Sequence, residues 1–334
     1  MLLEKKLTFD KYNKTIIPYK QNCVKEILME LYFAPLEGIT TKIYRNTHHE
    51  FFCGVDKYYS PFITLGENDK LTEKLLRDVL PEENKVELAV QILCNQKNTF
   101  VSFAKRIKEL GYDEININLG CPSGTVVSKG RGSGFLRETE ELDRFLDGIF
   151  TECDMNISVK TRIGFSTPDE MIKLTEIYNR YPISLLIVHP RLREDFYKGV
   201  PDMVTFKAVY ETYKKPLCYN GDVITKVDFD RIKEEFPELF GVMIGRGAVK
   251  NPAIFREING GKPLTNTELS EFLCALSEKY VSLLNSEVFT LHKLKEIMMS
   301  VMQNYPDDRK LLKSVKKANK LSDLIFVIKK LPEL

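Results

Sequence analysis

No Cys-x-x-Cys pair occurs in this sequence, and no histidines cluster with the cysteines, which stand singly at positions 23, 53, 94, 121, 153, 218 and 274. An odd, dispersed set of seven argues against a disulfide framework and a structural zinc site, and a reducing cytoplasm is the simplest setting. No apolar run reaches membrane-spanning length, and Met1-Leu2-Leu3-Glu4-Lys5-Lys6 puts charges where a secretory core would stand. The expectation is a soluble cytoplasmic protein, a monomer, with no membrane partner and no metal. Glycine and proline are modest too, 18 and 15 of 334, which with 43% hydrophobic and 29% charged residues excludes a fibrous or disordered chain. A chain this long can bury roughly three quarters of its surface unaided, enough for one large domain and a small one.

Nor is there an excess of one charge: 49 Lys and Arg face 47 Asp and Glu, a net of +2 that selects no partner. The distribution is less even. From Arg309 to Lys330 eight cations (Arg309, Lys310, Lys313, Lys316, Lys317, Lys320, Lys329, Lys330) meet one acid, Asp323. That segment carries +7 and leaves −5 on the rest.

Eight short apolar, β-branched runs alternate with segments of helical period, the pattern of βα units around a parallel sheet. The runs are Glu30 to Ala34, Lys57 to Ser60, Glu87 to Leu93, Glu114 to Asn118, Ile157 to Thr161, Leu185 to His189, Leu217 to Asn220 and Val242 to Ile244. Thr99 to Leu110 reads as a helix with Val101, Ala104, Ile107 and Leu110 inward, and Pro168 to Tyr181 as one capped by Thr167. With no Gly-x-Gly-x-x-Gly after the first strand, a (β/α)8 TIM barrel fits better than a doubly wound sheet, which pattern alone leaves open. Gly260-Gly261 and Pro263 break the pattern, and Thr265 to Leu331 reads as helices only. A boundary falls at about residue 260, giving a barrel over 29–260 and a small all-helical domain over 261–334, with 1–28 as an extension.

In a barrel the reactive face lies at the carboxyl ends of the strands. Glycines and polar groups recur there: Ala34-Pro35-Leu36-Glu37-Gly38, Gln91, Asn118-Leu119-Gly120-Cys121-Pro122, Lys160-Thr161-Arg162, His189-Pro190-Arg191, Asn220-Gly221-Asp222 and Gly245-Arg246-Gly247. The last two turns suit a phosphate cup, with close backbone approach, helix-start amides and the Arg246 guanidinium. Lys160 could set a positive charge beside a cofactor that turns anionic on reduction, as a flavin does near N1 and the C2 carbonyl, with Gln91 and His189 on the ring edges. Each alone has the bland alternative of a satisfied strand-end group; their convergence on one mouth reverses the balance. Cys121 sits on a turn before Gly130-Arg131-Gly132-Ser133-Gly134, a stretch able to close over a substrate. A mostly protonated thiol there can serve as proton donor or nucleophile, whereas Cys53, Cys94, Cys153, Cys218 and Cys274 read as inert small hydrophobes.

Taken in order, Ala34-Pro35-Leu36-Glu37-Gly38-Ile39-Thr40 with Arg45, Asn118-Leu119-Gly120-Cys121-Pro122-Ser123, Val159-Lys160-Thr161-Arg162-Ile163-Gly164, His189-Pro190-Arg191, Asn220-Gly221-Asp222 and Gly245-Arg246-Gly247 resemble the tRNA-dihydrouridine synthases. The resemblance spans about Glu30 to Phe255 and implies an FMN-dependent (β/α)8 barrel with a helical carboxyl-terminal domain. It implies that Pro35, Leu36 and Glu37 line the flavin, that Gln91, Lys160 and His189 contact its ring system, and that Asn220, Gly221, Asp222, Gly245 and Arg246 hold ribityl and phosphate. Cys121 is then the catalytic acid, and Asn118, Arg162 and Arg191 face the flavin or the target uridine. Two departures are small: Leu36 stands where many members have Met, and Pro190 where Thr or Gly is usual.

The implied reaction saturates the C5=C6 bond of a uridine in tRNA, in the D-loop, with NADPH as reductant, a hydride to C6 from FMN and a proton to C5 from Cys121. An unstacked loop nucleotide makes that access cheap. Beside such a barrel the tail lysines Lys313, Lys316, Lys317 and Lys320 become candidate RNA-backbone contacts, and Leu291, Leu294, Ile297, Met298, Val301 and Met302 the core of the helix before them. Relatives begin about a residue before the first strand, so Met29 is expected as the biological start. The nearest alternative is a flavin barrel acting on a free pyrimidine, of dihydroorotate or dihydropyrimidine dehydrogenase type. A more distant one is a sugar-phosphate isomerase or aldolase with Lys160 as Schiff base.

Overall fold

Glu114-Ile115-Asn116-Ile117-Asn118-Leu119 alternates polar and apolar like a strand with one wet face, yet all but Glu114 are buried. The computed structural model, which describes residues 29–65 and 72–333, resolves the conflict. The apolar residues face an outer ring of helices and the polar ones face the interior of a closed barrel.

Among the described residues nine parallel strands form the sheet: β1 (Glu30–Phe33), β2 (Lys57–Tyr59), β3 (Ile63–Thr64), β4 (Leu88–Leu93), β5 (Glu114–Leu119), β6 (Asn156–Arg162), β7 (Leu186–His189), β8 (Leu217–Tyr219) and β9 (Gly241–Ile244). Pairing of β9 with β1, from Glu30 against Gly241 to Phe33 against Ile244, closes the ring and removes the doubly wound alternative. The eight expected runs are all strands. β3 is additional: β2 and β3 both pair with β4, and the five residues from Tyr59 to Ile63 oppose the four from Ala89 to Ile92, a bulge at the donor-less Pro61. Inside the barrel Tyr32, Ala34, Tyr59, Ala89, Leu185, Ile187, Cys218 and Met243 form their own apolar layer.

Two helix readings need correction. The helix Lys97–Glu109 begins earlier than expected and buries Phe100, Phe103, Ala104 and Ile107, with Val101 and Leu110 at the margin. Two phenyl rings, each worth about 2–3 kcal/mol when buried, decide the inward face. The helix Glu170–Arg180 is not capped by Thr167; the Glu170 carboxylate turns back and accepts from the amides of Phe165 (2.6 Å), Ser166 (3.0 Å) and Thr167 (3.1 Å). Cys53, read as a free thiol, is disulfide-bonded, while Cys94, Cys121, Cys153, Cys218 and Cys274 are free.

Past Gly260-Gly261 only helices follow among the described residues: Asn266–Leu284, Glu287–Val301, Arg309–Lys317 and Leu321–Ile328, with short 3₁₀ turns. Thr265, Ser286 and Asp308 cap the first three. Leu291, Leu294, Ile297, Met298, Val301 and Met302 are buried, as their spacing predicts. Phe272 meets the rings of Tyr44, His48 and Phe51 on the helix Lys42–Phe51 and of Phe52 just past it, and so fastens these helices to the barrel. Burial pulls His48 down to about 3, leaving a neutral ring whose Nε2 donates to the Pro252 carbonyl. No described helix is long and apolar enough to cross a membrane. The expectation for the segment before Met29 lies outside the described residues.

Candidate active site

The carboxyl ends of the strands surround a cavity of about 810 Å³. Its wall includes Pro35, Leu36, Glu37, Gln91, Asn118, Cys121, Lys160, Arg162, His189, Asn220, Gly221, Asp222, Gly245 and Arg246, residues from seven strand ends separated by up to 211 positions in the chain. Arg191 is absent from that wall, as are Lys313, Lys316 and Lys317 on the helix Arg309–Lys317 and Lys320 just beyond it.

The floor is a one-way chain of hydrogen bonds. Asn118 Nδ2 donates to Gln91 Oε1 (2.8 Å), Gln91 Nε2 to Asn116 Oδ1 (2.7 Å), Asn116 Nδ2 to Ser158 Oγ (2.8 Å), and Ser158 to the Glu114 carboxylate (2.5 Å), which Lys57 also contacts (2.6 Å). An acceptor-only carboxylate at the far end fixes every amide's orientation. At the near end Asn118 Oδ1 accepts from the amides of Gly120 (3.0 Å) and Cys121 (2.9 Å) and sets the turn that carries the thiol. Gln91 keeps one N–H and one lone pair unused.

The glycine-rich stretch is a brace rather than a lid. Gly132, Ser133, Gly134, Phe135 and Leu136 are buried, and Ser133 donates to the Cys121 carbonyl through both N and Oγ. Gly132, at φ 55°, has no room for a side chain: a Cβ would come within 2.8 Å of the Cys121 carbonyl oxygen. Cys121 itself is half-buried, and burial pushes its thiol above the ordinary value despite the nearby Arg162 and Lys160. At neutral pH it is protonated.

Three cations, Lys160, Arg162 and Arg246, line the cavity, and a fourth, Arg191, is buried against His189. Burial, then the neighbouring Arg162, pull Lys160 down to about 8, and no carboxylate pairs with it among the described residues. Arg162 spends its guanidinium on the carbonyls of Gly120 (2.8 Å), Leu192 (2.7 Å) and Phe196 (2.6 Å). Burial and these charges hold His189 well below its usual range, so the ring is neutral; Arg191 Nη1 donates to Nε2 (3.1 Å), which leaves the proton on Nδ1. Arg191 therefore differs from its expected place facing a ligand: it is 1% exposed and tied to Asp222 and to the carbonyls of Lys198 and Gly199. Asp222 pairs with both Arg191 (2.5 Å) and Arg246 (2.7 Å), which hold its carboxyl below the usual range against the effect of burial. It orients Arg246 rather than offering a free carboxylate. Gly247 lets this turn touch the one after β8, since a Cβ there would lie 2.1 Å from the Val223 carbonyl oxygen.

Residues that sequence reasoning did not single out complete the mouth: Lys129, Arg131, Phe196 and Tyr197. Tyr197 lies between the guanidiniums of Arg162 and Arg246, each 5.4 Å from the ring centre. Lys293, from the helix Glu287–Val301, donates to the Gly38 carbonyl (2.8 Å) and offsets part of the burial that raises the Glu37 carboxyl. Lys129 and Arg131 flank a motif glycine and were legible as charge; Lys293 had no local signal.

A family model described as dihydrouridine synthase matches residues 32–330. Among curated proteins, the tRNA-dihydrouridine synthase B of Pseudomonas putida is 29% identical over 231 residues, 68% of this chain and 67% of its own. That of Proteus vulgaris is 29% identical over 229 residues, 67% and 69%. Among solved structures, histamine dehydrogenase from Rhizobium sp. 4-9 is similar with a TM-score of 0.53 at 13% identity, over 74% of this chain and 49% of that one. The old yellow enzyme from Trypanosoma cruzi gives 0.50 at 10%, over 71% and 89%. At such identities the two structures speak for the fold alone.

Proposed function

The chain belongs to the dihydrouridine synthase family of oxidoreductases, and from that premise we propose that it reduces the C5=C6 bond of a uridine in the D-loop of tRNA, with FMN as resident cofactor and NADPH as reductant. The observation that carries the reading is the meeting, in one cavity, of a protonated thiol on a braced turn with a half-buried cation that lacks a carboxylate.

The residues fit FMN. Gln91 retains one donor and one acceptor for a ring edge, Lys160 a charge for an anionic ring, and Gly221 and Gly245 leave backbone bare beside Arg246. The first-turn amides of Arg246 and Gly247 have no intrahelical acceptor, which suits a phosphate beside Gly245 and Arg246. When bound, FMN supplies the hydride that C6 of the uracil takes up. Cys121 gives C5 its proton, Asn118 holds the Cys121 turn, and Arg162 ties that turn to the loop 192–199. The uracil reaches the thiol by leaving its stack, which an unpaired loop nucleotide does at little cost.

We assign the barrel, about 29–260, to catalysis and the helices from 261 on to RNA contact. The helix Arg309–Lys317 turns Leu311 and Val315 inward and leaves Arg309, Lys310, Lys313, Lys316 and Lys317 exposed; Lys320 is exposed beyond it. Neutralising Lys313, Lys316, Lys317 and Lys320 together is expected to weaken tRNA binding and to make the slope of log K against log salt shallower by about 2–4. Filter binding between 50 and 300 mM salt (on the order of the range where such slopes are read) checks this; an unchanged slope reduces the tail to a solvated surface.

Mapping dihydrouridine in tRNA from a strain lacking the gene, with the gene then restored, tests the function itself. A D-loop position that loses and regains the base is the expected result. An unaltered tRNA, with reduction of free uracil or uridine instead, overturns it.

A further inference from the structure

Phe196 is the one described residue besides Asn285 that has positive φ without being glycine, 52°, and unlike Asn its side chain gives no local compensation for that conformation. Slack does not explain it. The loop 192–199 is fastened through five carbonyls by three arginines from three strand ends: Leu192 and Phe196 by Arg162, Lys198 and Gly199 by Arg191, and Tyr197 by Arg246. The arginines over-determine the backbone, and strain held this way collects where a side chain must be presented.

What is presented is an aromatic face. Phe196 is 42% exposed, lines the mouth of the cavity, and has the Arg193 guanidinium 5.4 Å from its ring centre. The same guanidinium lies 5.4 Å from the Phe165 ring, so Arg193 is wedged between two aromatics and stiffens the platform from behind. The loop after β5 brings Lys129 and Arg131 to the same mouth, neither with a carboxylate partner among the described residues. An aromatic face beside unpaired cations is how single-stranded nucleic acid is held, base on ring and phosphate on cation.

We propose that Phe196 is a stacking platform for the unpaired base adjacent to the uridine that enters the cavity. This rests on the RNA-reductase reading above. The interior takes the reacting base, so its chain neighbours stay at the rim, where Phe196 is. A nicotinamide ring also stacks on aromatics, but to exchange a hydride it must reach the floor rather than the rim.

Phe196→Gly, Phe196→Leu and Phe196→Trp, assayed for KM and kcat with tRNA and with NADPH, test the proposal. For Phe196→Gly the KM for tRNA is expected to rise about tenfold, with kcat moving less than about twofold, the size of one lost base–aromatic stack. Its melting temperature is expected not to fall, because glycine relieves the positive φ. Leu should behave like Gly, and Trp should keep or lower the wild-type KM. A wild-type KM in the Gly or Leu variant, or a rise confined to NADPH, overturns the platform. Absence of dihydrouridine with the wild-type enzyme would instead strike the functional reading, so the two failures are distinguishable.

Discussion

Cys121→Ala is expected to lower dihydrouridine formation by a factor of about 10²–10⁴, the range for loss of a positioned general acid, while FMN binding and reduction of the flavin by NADPH persist. The geometry separates the two half-reactions. Cys121 touches the cavity from a turn held by Asn118 and Ser133, whereas the charges suited to the cofactor come from Lys160 and Arg246 on other strands. Burial raises the thiol pKa, and the acid form is the one present below that value. The rate should thus be flat through neutrality and fall only as pH rises through the raised pKa, so the alkaline limb lies above the ordinary thiol range. Cys121→Ser, with a hydroxyl far less acidic than a thiol, should be nearly as poor as Ala. Single-turnover product measured by mass spectrometry, alongside a flavin titration, checks both halves; product within tenfold of wild type would remove Cys121 from the role of acid.

The parts that the sequence disclosed are those where one residue type has one physical reason to be there. Strand runs such as Leu88–Leu93 are buried on both faces and read as apolar segments broken only by Gln91, and the strand-end motifs had to face one mouth once the barrel closed. The failures have a common origin in contacts distant along the chain. His189-Pro190-Arg191 suggests two side chains on one face, but β7 ends at His189, the chain turns, and Arg191 is drawn beneath Asp222, 31 residues away. The glycines at 130, 132 and 134 read as a stretch able to close because composition does not show what they pack against; for 132 and 134 the answer is Cys121, Val126 and Val127. Phe196 carried no signal at all, since two of the three arginines that hold its loop, Arg162 and Arg246, reach it across 34 and 49 residues of chain.

Lys160→Met is expected to stabilise the FMN-free protein and to weaken FMN binding, two opposite effects from one charge. Burial and the adjacent Arg162 pull the lysine from its ordinary value to about 8. Between that pH and the unfolded value of 10.5 the unfolded chain binds one more proton than the folded one, so apo stability rises with pH across this window. Below it, at neutral pH, the folded protein carries the full penalty of a desolvated ammonium, about 1–3 kcal/mol after allowance for access to the open cavity. Methionine has nearly the same length and no charge, so the apo variant should melt higher at pH 7, with the advantage vanishing near pH 10. An anionic ligand reverses the balance, since it gives the ammonium the partner it lacks; loss of that pair should raise the Kd for FMN by at least about thirtyfold. Calorimetry of apo protein at pH 7 and 10, with fluorescence titration of FMN, reads the two effects independently of turnover. A variant that melts lower without FMN yet binds FMN as wild type does would mean that Lys160 is there for packing and that no stability is given up here for an anion.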